Sequence, residues 1–587
     1  MRRYTKHFLI AVMMAHGCAL AIQAQSEQTK PNVATGVISG RVATTSGDLP
    51  PNTIVFVSTL GVAAPPRSAL VNSDGTFKID GLNVGLYRVW TNAPGYITDT
   101  SPSTSDNRGI YRTGDSVDLK LRRGGVVTGT VLNSNNAPVV NVNVRAFRIK
   151  DENGKSSEGN TLARERLTDD RGFYRMYGLA PGTYVVSAGG GSRYAMTMRG
   201  GAYDTDAPTY APSSTRDTAS EVSLRGGEEV TVDIQYRGEQ GHAISGSVSG
   251  VPAQQGLISY GATVTLIDVK SRSMFTETSA PMNNNYAFAF YGIPDGEYEI
   301  AAQQYTGARD ILGSEPKRIK LQGADIAGIS LTLTTMPAIS GRVVLEKTPA
   351  ADCVKRRESA IAETLIAIRR QKAAKPNDPK SAAPAVDQTP LQFAEQSAEA
   401  VPDDKGEFAM RNLHAGIYRL NVQMPSAAWY LRSIALGADV RALDPSLISE
   451  GITLKNQSVS GLTVTLSEGA AGLRGRVTAG EGQRLPAPLM IYLVPAEKEN
   501  ANNLLRFFEA RVTSDGRFTL SNLPPGDYLI LAKPADDDRP AGNLIREDAA
   551  LRTNLIRQAE NLKQKMSLKP CERVEDYELA YSPATKP

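Results

Sequence analysis

Histidine is scarce in this 587-residue sequence, which has four copies. Two of them lie within the first 16 residues, so the rest of the chain holds only His242 and His414. A zinc peptidase needs a histidine and a glutamate close together plus a further histidine, and that set is missing. Serine nucleophile motifs and phosphate-binding glycine loops are missing too. We therefore expect no enzyme, no metal and no cofactor, and interpret both histidines as solvated turn residues.

Long apolar runs and a charge excess are also lacking. Beyond the N-terminus no run of 18 apolar residues occurs, so we expect no transmembrane segment after signal cleavage. The sequence has 65 Lys and Arg against 61 Asp and Glu, and removing residues 1–24 takes away three basic residues, leaving 62 against 61. This balance provides no long-range attraction to nucleic acid. The expected partner is an unknown protein or polysaccharide at the cell surface.

The first 24 residues have the pattern of a secretory signal peptide. Arg2, Arg3 and Lys6 precede an apolar stretch over residues 8–22, and Ala24 is a plausible last residue before cleavage. A lipoprotein signal ending at Cys18 is the weaker alternative. We expect secretion, with the mature chain in the periplasm, on the outer surface or outside the cell.

Only three cysteines are present, and Cys18 leaves with the signal peptide. Cys353 and Cys571 remain, an even number in an oxidising compartment, which favours a disulfide between them. The alternative, two unrelated thiols, stays open because sequence spacing does not show proximity.

What the sequence does contain is a repeat of glycine, an aromatic residue, leucine, glycine and tyrosine. In the first copy these are Gly75, Phe77, Leu82, Gly85 and Tyr87, at offsets 0, 2, 7, 10 and 12. Four more copies keep the spacing, with the first glycine lost in the third. The second glycine and the tyrosine of each copy are Gly85 and Tyr87, Gly182 and Tyr184, Gly296 and Tyr298, Gly416 and Tyr418, and Gly526 and Tyr528.

The spacing predicts two short strands joined by a tight corner. The first glycine suits a hairpin turn, and the second permits the turn back into the strand that the tyrosine begins. The hydroxyl of a buried tyrosine in this place can form a hydrogen bond with a backbone group of the corner. Upstream of each copy lies a shorter signal such as "SGRV" from Ser39, and downstream of most copies an alternating strand such as "VDLKLRR" from Val117.

This combination resembles carboxypeptidase regulatory-like domains and the related Cna-B type modules of bacteria. The resemblance implies an all-β fold: a tandem array of about five prealbumin-like (Ig-like) β-sandwich domains, a fold that overlaps with carbohydrate-binding modules. The expected divisions are signal peptide 1–24 and sandwiches over 25–123, 124–238, 239–337, 338–469 with a long insertion at about 348–400, and 470–587. Five modules of ~35 Å each would make an elongated particle.

The last module departs from the others after its tyrosine strand. Residues 544–566 place Leu551, Leu555, Leu562 and Met566 on one side, which predicts a C-terminal amphipathic helix. Docking on its own sandwich is the favoured interpretation, and binding to a partner is the alternative.

Two functions remain open. The favoured one is a secreted, non-catalytic scaffold or adhesion protein of the cell envelope, and the alternative is a polysaccharide-binding protein. Exposed aromatic rings would serve the second, although ordinary packing between domains explains such rings at least as well. The candidates for a ligand face are Trp90, Tyr96, Tyr194, Tyr203 and Tyr210.

Overall fold

The computed structural model describes residues 36–581 except 46, 62–63, 99–108, 157–163, 191–201, 251–260, 272, 306–310, 348–358, 372–396, 438–443, 481–483 and 536–543. The described chain forms five successive pairs of packed β-layers, which we number units 1 to 5. The tandem β-sandwich array predicted from the sequence is confirmed by these layers. We propose that each unit is one domain.

Unit 1 is a sandwich of two four-stranded sheets over residues 36–123. Its strands are β1 (Gly36–Thr44), β2 (Ile54–Thr59), β3 (Arg67–Leu70), β4 (Thr76–Leu82), β5 (Leu86–Asn92), β6 (Tyr96–Thr98), β7 (Ile110–Arg112) and β8 (Ser116–Arg123). The sheet orders are β4-β1-β8-β6 and β3-β2-β5-β7. Strands β1 and β8 pair in parallel, so the first and last strands of the unit lie side by side.

Unit 2 repeats this plan over residues 125–235. Its strands are β9 (Gly125–Leu132), β10 (Asn143–Asp151), β11 (Arg164–Leu167), β12 (Phe173–Leu179), β13 (Gly182–Ala188), β14 (Thr209–Tyr210), β15 (Val222–Leu224), β16 (Glu229–Thr231) and β17 (Ile234–Gln235). One sheet has the order β11-β10-β13-β14, with β15 also on β13. The other has the order β12-β9-β16, with β17 also on β9.

Unit 3, over residues 242–335, joins its two layers into one eight-stranded sheet. Its strands are β18 (His242–Ser249), β19 (Ala262–Asp268), β20 (Ser273–Ala280), β21 (Ala287–Ile293), β22 (Gly296–Tyr305), β23 (Ile311–Ser314), β24 (Lys317–Leu321) and β25 (Ile326–Thr335). The order is β20-β19-β22-β23-β25-β18-β21, with β24 on β22. Strand β23 pairs with both β22 and β25 and so connects the layers.

Unit 4 has two four-stranded sheets over residues 339–468. Its strands are β26 (Ile339–Glu346), β27 (Leu365–Arg370), β28 (Ser397–Ala400), β29 (Glu407–Met410), β30 (Gly416–Gln423), β31 (Trp429–Leu436), β32 (Ile452–Leu454) and β33 (Val459–Glu468), with a short helix α1 (Pro445–Ser449). The orders are β29-β26-β33-β31 and β28-β27-β30-β32. Most of the predicted insertion, 348–358 and 372–396, lies outside the described residues.

Unit 5, over residues 471–580, carries two further helices. Its strands are β34 (Ala471–Thr478), β35 (Leu489–Pro495), β36 (Phe508–Arg511), β37 (Arg517–Leu523), β38 (Gly526–Pro534), β39 (Lys565–Leu568) and β40 (Arg573–Ala580), and its helices are α2 (Leu544–Glu547) and α3 (Ala549–Leu562). The sheet orders are β37-β34-β40 and β36-β35-β38-β39. Strand β40 closes the sandwich by pairing in parallel with β34.

The C-terminal helix docks on its own sandwich, as the amphipathic pattern favours. Leu555 and Ala559 of α3 are fully buried against Tyr492 and Leu531 on the outer face of one sheet. The helix ends at Leu562, where Lys563 takes a left-handed conformation. The predicted end at residue 566 is therefore wrong, because Met566 already belongs to β39, where it packs into the core. Within the described part of the chain, no helix has the length and apolarity to cross a bilayer.

A glycine near the start of each unit explains the short upstream signal. A methyl group built on Gly246 would lie 1.9 Å from the carbonyl oxygen of Ile329 on the last strand of the unit. The same clash, at 1.9–2.3 Å, occurs in the other four units at Gly40, Gly129, Gly341 and Gly475. The first strand therefore needs glycine wherever it crosses the backbone of its parallel neighbour.

The array folds back on itself. Unit 1 contacts unit 4 through side chains that are distant in sequence, among them Arg88 and Glu399, whose charged groups lie 3.0 Å apart. The expected elongated particle is therefore wrong. The reason is that the outer face of one sheet of unit 1 carries apolar side chains that are covered by unit 4.

Candidate functional site

The tyrosine of every repeat closes a corner in the same way. Its hydroxyl donates a hydrogen bond to the backbone carbonyl of the residue four positions earlier. The five pairs are Tyr87 to Asn83 (3.0 Å), Tyr184 to Ala180 (2.6 Å), Tyr298 to Pro294 (2.8 Å), Tyr418 to His414 (2.8 Å) and Tyr528 to Pro524 (2.7 Å). Because the rings are buried in the cores, these bonds also satisfy a polar group that water does not reach.

The residue before the corner leucine or isoleucine is left-handed in every unit. It is Gly81 (φ 70°), Gly178 (φ 71°), Gly292 (φ 67°), Asn412 (φ 61°) or Asn522 (φ 55°). Glycine and, less readily, asparagine and aspartate adopt this conformation at low cost. The sequence repeat did not include this position because two residue types share it.

This left-handed position also contacts the preceding unit wherever there is one. A methyl group on Gly292 of unit 3 would lie 2.5 Å from the carbonyl oxygen of Asp206 in unit 2. The Oδ1 of Asn412 in unit 4 accepts a hydrogen bond of 2.9 Å from the backbone N–H of Ile311 in unit 3. The corner thus forms a turn within its own sandwich and also contacts the preceding unit at the junction.

The junction between units 4 and 5 is the most heavily bonded of these contacts. The Nδ2 of Asn522 donates to the carbonyl oxygens of Ser426 (3.0 Å) and Trp429 (2.7 Å). Arg573 donates to the carbonyl of Ala427 at 2.7 Å. Cys571, whose backbone N–H donates to Gly469 in the linker, is disulfide-bonded. The predicted partner Cys353 lies outside the described residues, so the pairing stays a prediction.

We expect Asn522→Asp to weaken this junction by roughly 2 kcal/mol, because a carboxylate would face two carbonyl oxygens in place of a donor. Asparagine and aspartate both tolerate the left-handed conformation, so the change tests the hydrogen bonds rather than the backbone. Calorimetry of the full chain should show the transition of unit 5 shifted to lower temperature. Asn522→Gly, which keeps the conformation and introduces no charge, should shift it less. Because both variants lack the Nδ2 donor, the absence of a shift in either of them would show that the donor is unimportant.

The contact that folds the array back is a small apolar cluster between units 1 and 4, which we call the clasp. It consists of Leu60, Leu86 and Ile110 of unit 1 with Leu365 and Val401 of unit 4. Leu86, Ile110 and Leu365 are only 1%, 3% and 3% exposed. Their neighbours along the strands point into the separate cores, so the clasp joins the outer faces of two sheets.

Polar contacts flank the clasp. Arg88 pairs with Glu399 at 3.0 Å, with half of the arginine side chain still exposed. The guanidinium of Arg112 donates to the carbonyl of Met424 at 2.8 Å. Beside them a groove of about 860 Å³ opens between Gly61 of unit 1 and the edge of unit 4. The surface ion pair contributes little energy by itself, so the apolar cluster holds the two units together.

Most of the described aromatic candidates are packed rather than presented to solvent. Trp90 is half-buried and stacks on Phe56 across the β2–β5 pair, with ring centroids 5.6 Å apart. Tyr96 packs against the core of unit 1 and Tyr203 against that of unit 2. Tyr210 is 2% exposed, so its proposed role on a ligand face is wrong. Tyr194 lies outside the described residues.

Exposed rings occur instead at positions that the sequence analysis did not select. Phe173 and Tyr177 point outward from β12, and Tyr291 stands at the equivalent place in unit 3, immediately before the left-handed glycine. Tyr177 and Tyr291 are 44% and 55% exposed. The guanidinium of Arg166 lies 5.7 Å from the centre of the Tyr177 ring. The sequence signal for these residues is an aromatic side chain at a strand position that points outward, where most other units have a polar residue.

The two histidines differ from the expected solvated turn residues. His242 is the first residue of β18, with Nε2 3.4 Å from Asp295 and Nδ1 3.6 Å from Asp325. His414 is largely buried, and this burial together with nearby Arg370 lowers its pKa to about 4. Among the described residues, no group of three or more His, Cys, Asp or Glu side chains is arranged so that it could hold a metal ion. Neither histidine thus has the surroundings of a metal ligand in the described part of the chain.

The buried His414 predicts a loss of stability in mild acid. The unfolded chain binds a proton at this residue near pH 6.5, whereas the folded chain binds it only near pH 4. Between these values the unfolded state binds more protons, so unit 4 should lose up to roughly 3 kcal/mol as the pH falls from about 6.5 to about 4. Denaturant unfolding at several pH values across this range measures the loss. Unit 1 has asparagine at this position, and His414→Asn should remove the part of the loss that is due to the histidine. The same dependence of the unfolding free energy on pH in the variant and in the parent chain would contradict this prediction.

The clasp is the part of the site that sequence reasoning missed. One signal was present: the residue after the second repeat glycine, which points away from the core, is apolar in units 1 and 4, as Leu86 and Ile417, but Thr183, Glu297 and Asp527 in units 2, 3 and 5. An apolar residue there makes the outer face a candidate for a covered surface, and the structure covers Leu86 while it leaves Ile417 41% exposed. No comparable pattern indicates which unit covers Leu86.

No family model matches this sequence, and no curated protein does. Among solved structures it is similar to the Bacillus anthracis TIE protein (10% identity, 95% of this chain and 76% of that chain, TM-score 0.14). It is also similar to two B repeat units of the collagen-binding protein of Staphylococcus aureus (10%, 74% and 99%, TM-score 0.14) and to the minor pilin of Streptococcus agalactiae (12%, 38% and 99%, TM-score 0.17). At TM-scores this low the likeness adds no weight, and the fold stands on the strand pairings.

Proposed function

We propose that this chain is a secreted, non-catalytic scaffold or adhesion protein of the bacterial cell envelope, built from carboxypeptidase regulatory-like modules. The observation that carries the proposal is the way the units are joined. The linkers between units are short, in one case the single residue Gly124. The left-handed residue before the corner leucine or isoleucine of each later unit contacts the unit before it. Such junctions keep successive modules in contact with one another, which is what a scaffold requires.

The cellular location of the chain, and the proteins that it contacts there, test this proposal. The full chain carrying a C-terminal tag, and a variant lacking residues 1–24, are expressed in a bacterium and fractionated. We expect the full chain in the envelope or the medium, and the variant in the cytoplasm. Crosslinking of the exported chain should then recover envelope proteins. Retention of the full chain in the cytoplasm would contradict the proposal.

A polysaccharide-binding function is the second candidate, and the exposed rings of Phe173, Tyr177 and Tyr291 favour it. Flat exposed aromatic faces beside charged side chains suit the stacking of sugar rings. Residues 25–587 would be passed over insoluble polysaccharides and peptidoglycan, with the soluble polymer as competitor. Retention that Tyr177→Ala and Tyr291→Ala abolish, and that Leu70→Ala at another exposed site leaves intact, would support this function. Absence of retention on every polymer would remove it.

A further inference from the structure

The clasp joins two different surfaces of one chain, and separating them breaks no β-sheet. Every strand pairing in the described chain stays within one unit, and the last strand of each unit pairs with its own first strand. Unit 1 is therefore a complete sandwich that can leave unit 4 with its core intact. Only Gly124 separates its last strand from unit 2, and the bidentate pair of Arg122 with Glu152 flanks that linker.

The two faces of the clasp are different surfaces, and every copy of the chain carries both of them. Unit 1 of one copy offers Leu86, Ile110 and Arg88, and unit 4 of another offers Leu365 and Glu399, the same partners that meet within one chain. Contacts between unlike surfaces either close within one molecule or continue from molecule to molecule. The choice between them depends on the concentration of the chain.

We propose that the clasp is exchangeable, so that unit 1 of one copy docks on unit 4 of another and the chain self-associates. This deepens the proposed scaffold function, on which it rests, by naming a second copy as the partner. Tethering gives the closed form an effective concentration on the order of millimolar. Dilute chains are therefore closed monomers, and chains crowded together exchange their clasps into dimers and longer assemblies.

Engineered cysteines test the exchange directly. A Cβ built on Gly61 would lie 3.1 Å from the Cβ of Val401, a few tenths of an ångström inside the usual separation in a disulfide. Because Gly61 is left-handed (φ 76°), a cysteine there adds backbone strain, and a small shift of this exposed bend has to accommodate it. Three versions of residues 25–587 are prepared: Gly61→Cys, Val401→Cys, and both changes together. The double variant reports the closed form, because it should crosslink within one chain on mild oxidation. An equimolar mixture of the single variants, one of them isotope-labelled, reports exchange between chains.

Exchange predicts a mixed disulfide between residues 61 and 401 of different chains. Its yield should rise at least tenfold between about 1 µM and about 100 µM chain, and should exceed the yield of each variant with itself. A mixed yield no greater than the self-crosslinked yields overturns the exchange, while crosslinking within the double variant leaves the scaffold proposal standing. Failure of the double variant to crosslink, while calorimetry shows units 1 and 4 folded as in the parent chain, overturns the clasp, and the exchange with it.

Discussion

Replacement of Gly246 by alanine is expected to unfold unit 3. The new methyl group would lie 1.9 Å from the oxygen and 2.7 Å from the carbon of the Ile329 carbonyl. Both atoms belong to the backbone of the paired strand β25, so no side-chain rotation relieves the overlap. We expect a cost of more than about 4 kcal/mol, which is a large part of the stability of a domain of this size.

Differential scanning calorimetry of the full chain measures this effect. A loss of about 4 kcal/mol corresponds to a shift of about 20 °C for a domain of about 100 residues, or to the disappearance of one transition. Ser247→Ala is the matched control, because Ser247 is the next residue of β18 and its side chain is exposed. A shift for Gly246→Ala no larger than that of the control would show that the strands separate easily at this crossing.

Replacement of Leu365 by arginine is expected to open the array. Leu365 is buried in the clasp and its neighbour Ile366 points into the core of unit 4, so the change affects the contact with unit 1 and spares the sandwich. Loss of the buried leucine and burial of a guanidinium would together cost the closed form about 3 kcal/mol or more. The ratio of closed to open molecules should therefore fall by roughly 100-fold.

Sedimentation velocity should show the opened array as a smaller sedimentation coefficient at unchanged mass. Ile417→Arg is the control, because Ile417 lies on the adjacent strand β30 but is 41% exposed. That variant should sediment like the parent chain. Circular dichroism should be the same for both variants, which separates opening from unfolding. Equal sedimentation of the two variants would mean that the clasp does not hold the array closed.

The architecture of each unit was predictable because the repeat encodes local geometry. The spacing from Gly85 to Tyr87 determines the turn and the inward direction of the ring, and the structure adds the hydroxyl bond to Asn83. The helix at the C-terminus followed from its apolar stripe, and its error was confined to the end. The helix stops at Leu562 because the chain then enters β39, whose short alternating sequence was absorbed into the helical pattern.

The arrangement of the units was not predictable from periodicity, because it depends on outward-facing residues. Alternation shows which side chains point into a core but not what covers the other face. Leu86 and Leu365 meet although about half the length of the chain separates them, and only the directions of the intervening junctions bring them together. Tyr210 was misjudged for the same reason, since its loop position suggested exposure while the fold packs it against Phe147 and Val185.

Small-angle X-ray scattering of residues 25–587 in dilute solution tests the closed array most directly. A straight rod of five ~35 Å modules would have a radius of gyration of about 50 Å, and a fully compact chain of this length about 25 Å. We predict a value below about 40 Å that rises in Leu365→Arg and not in Ile417→Arg. A parent chain that scatters as the extended rod would contradict the closed arrangement.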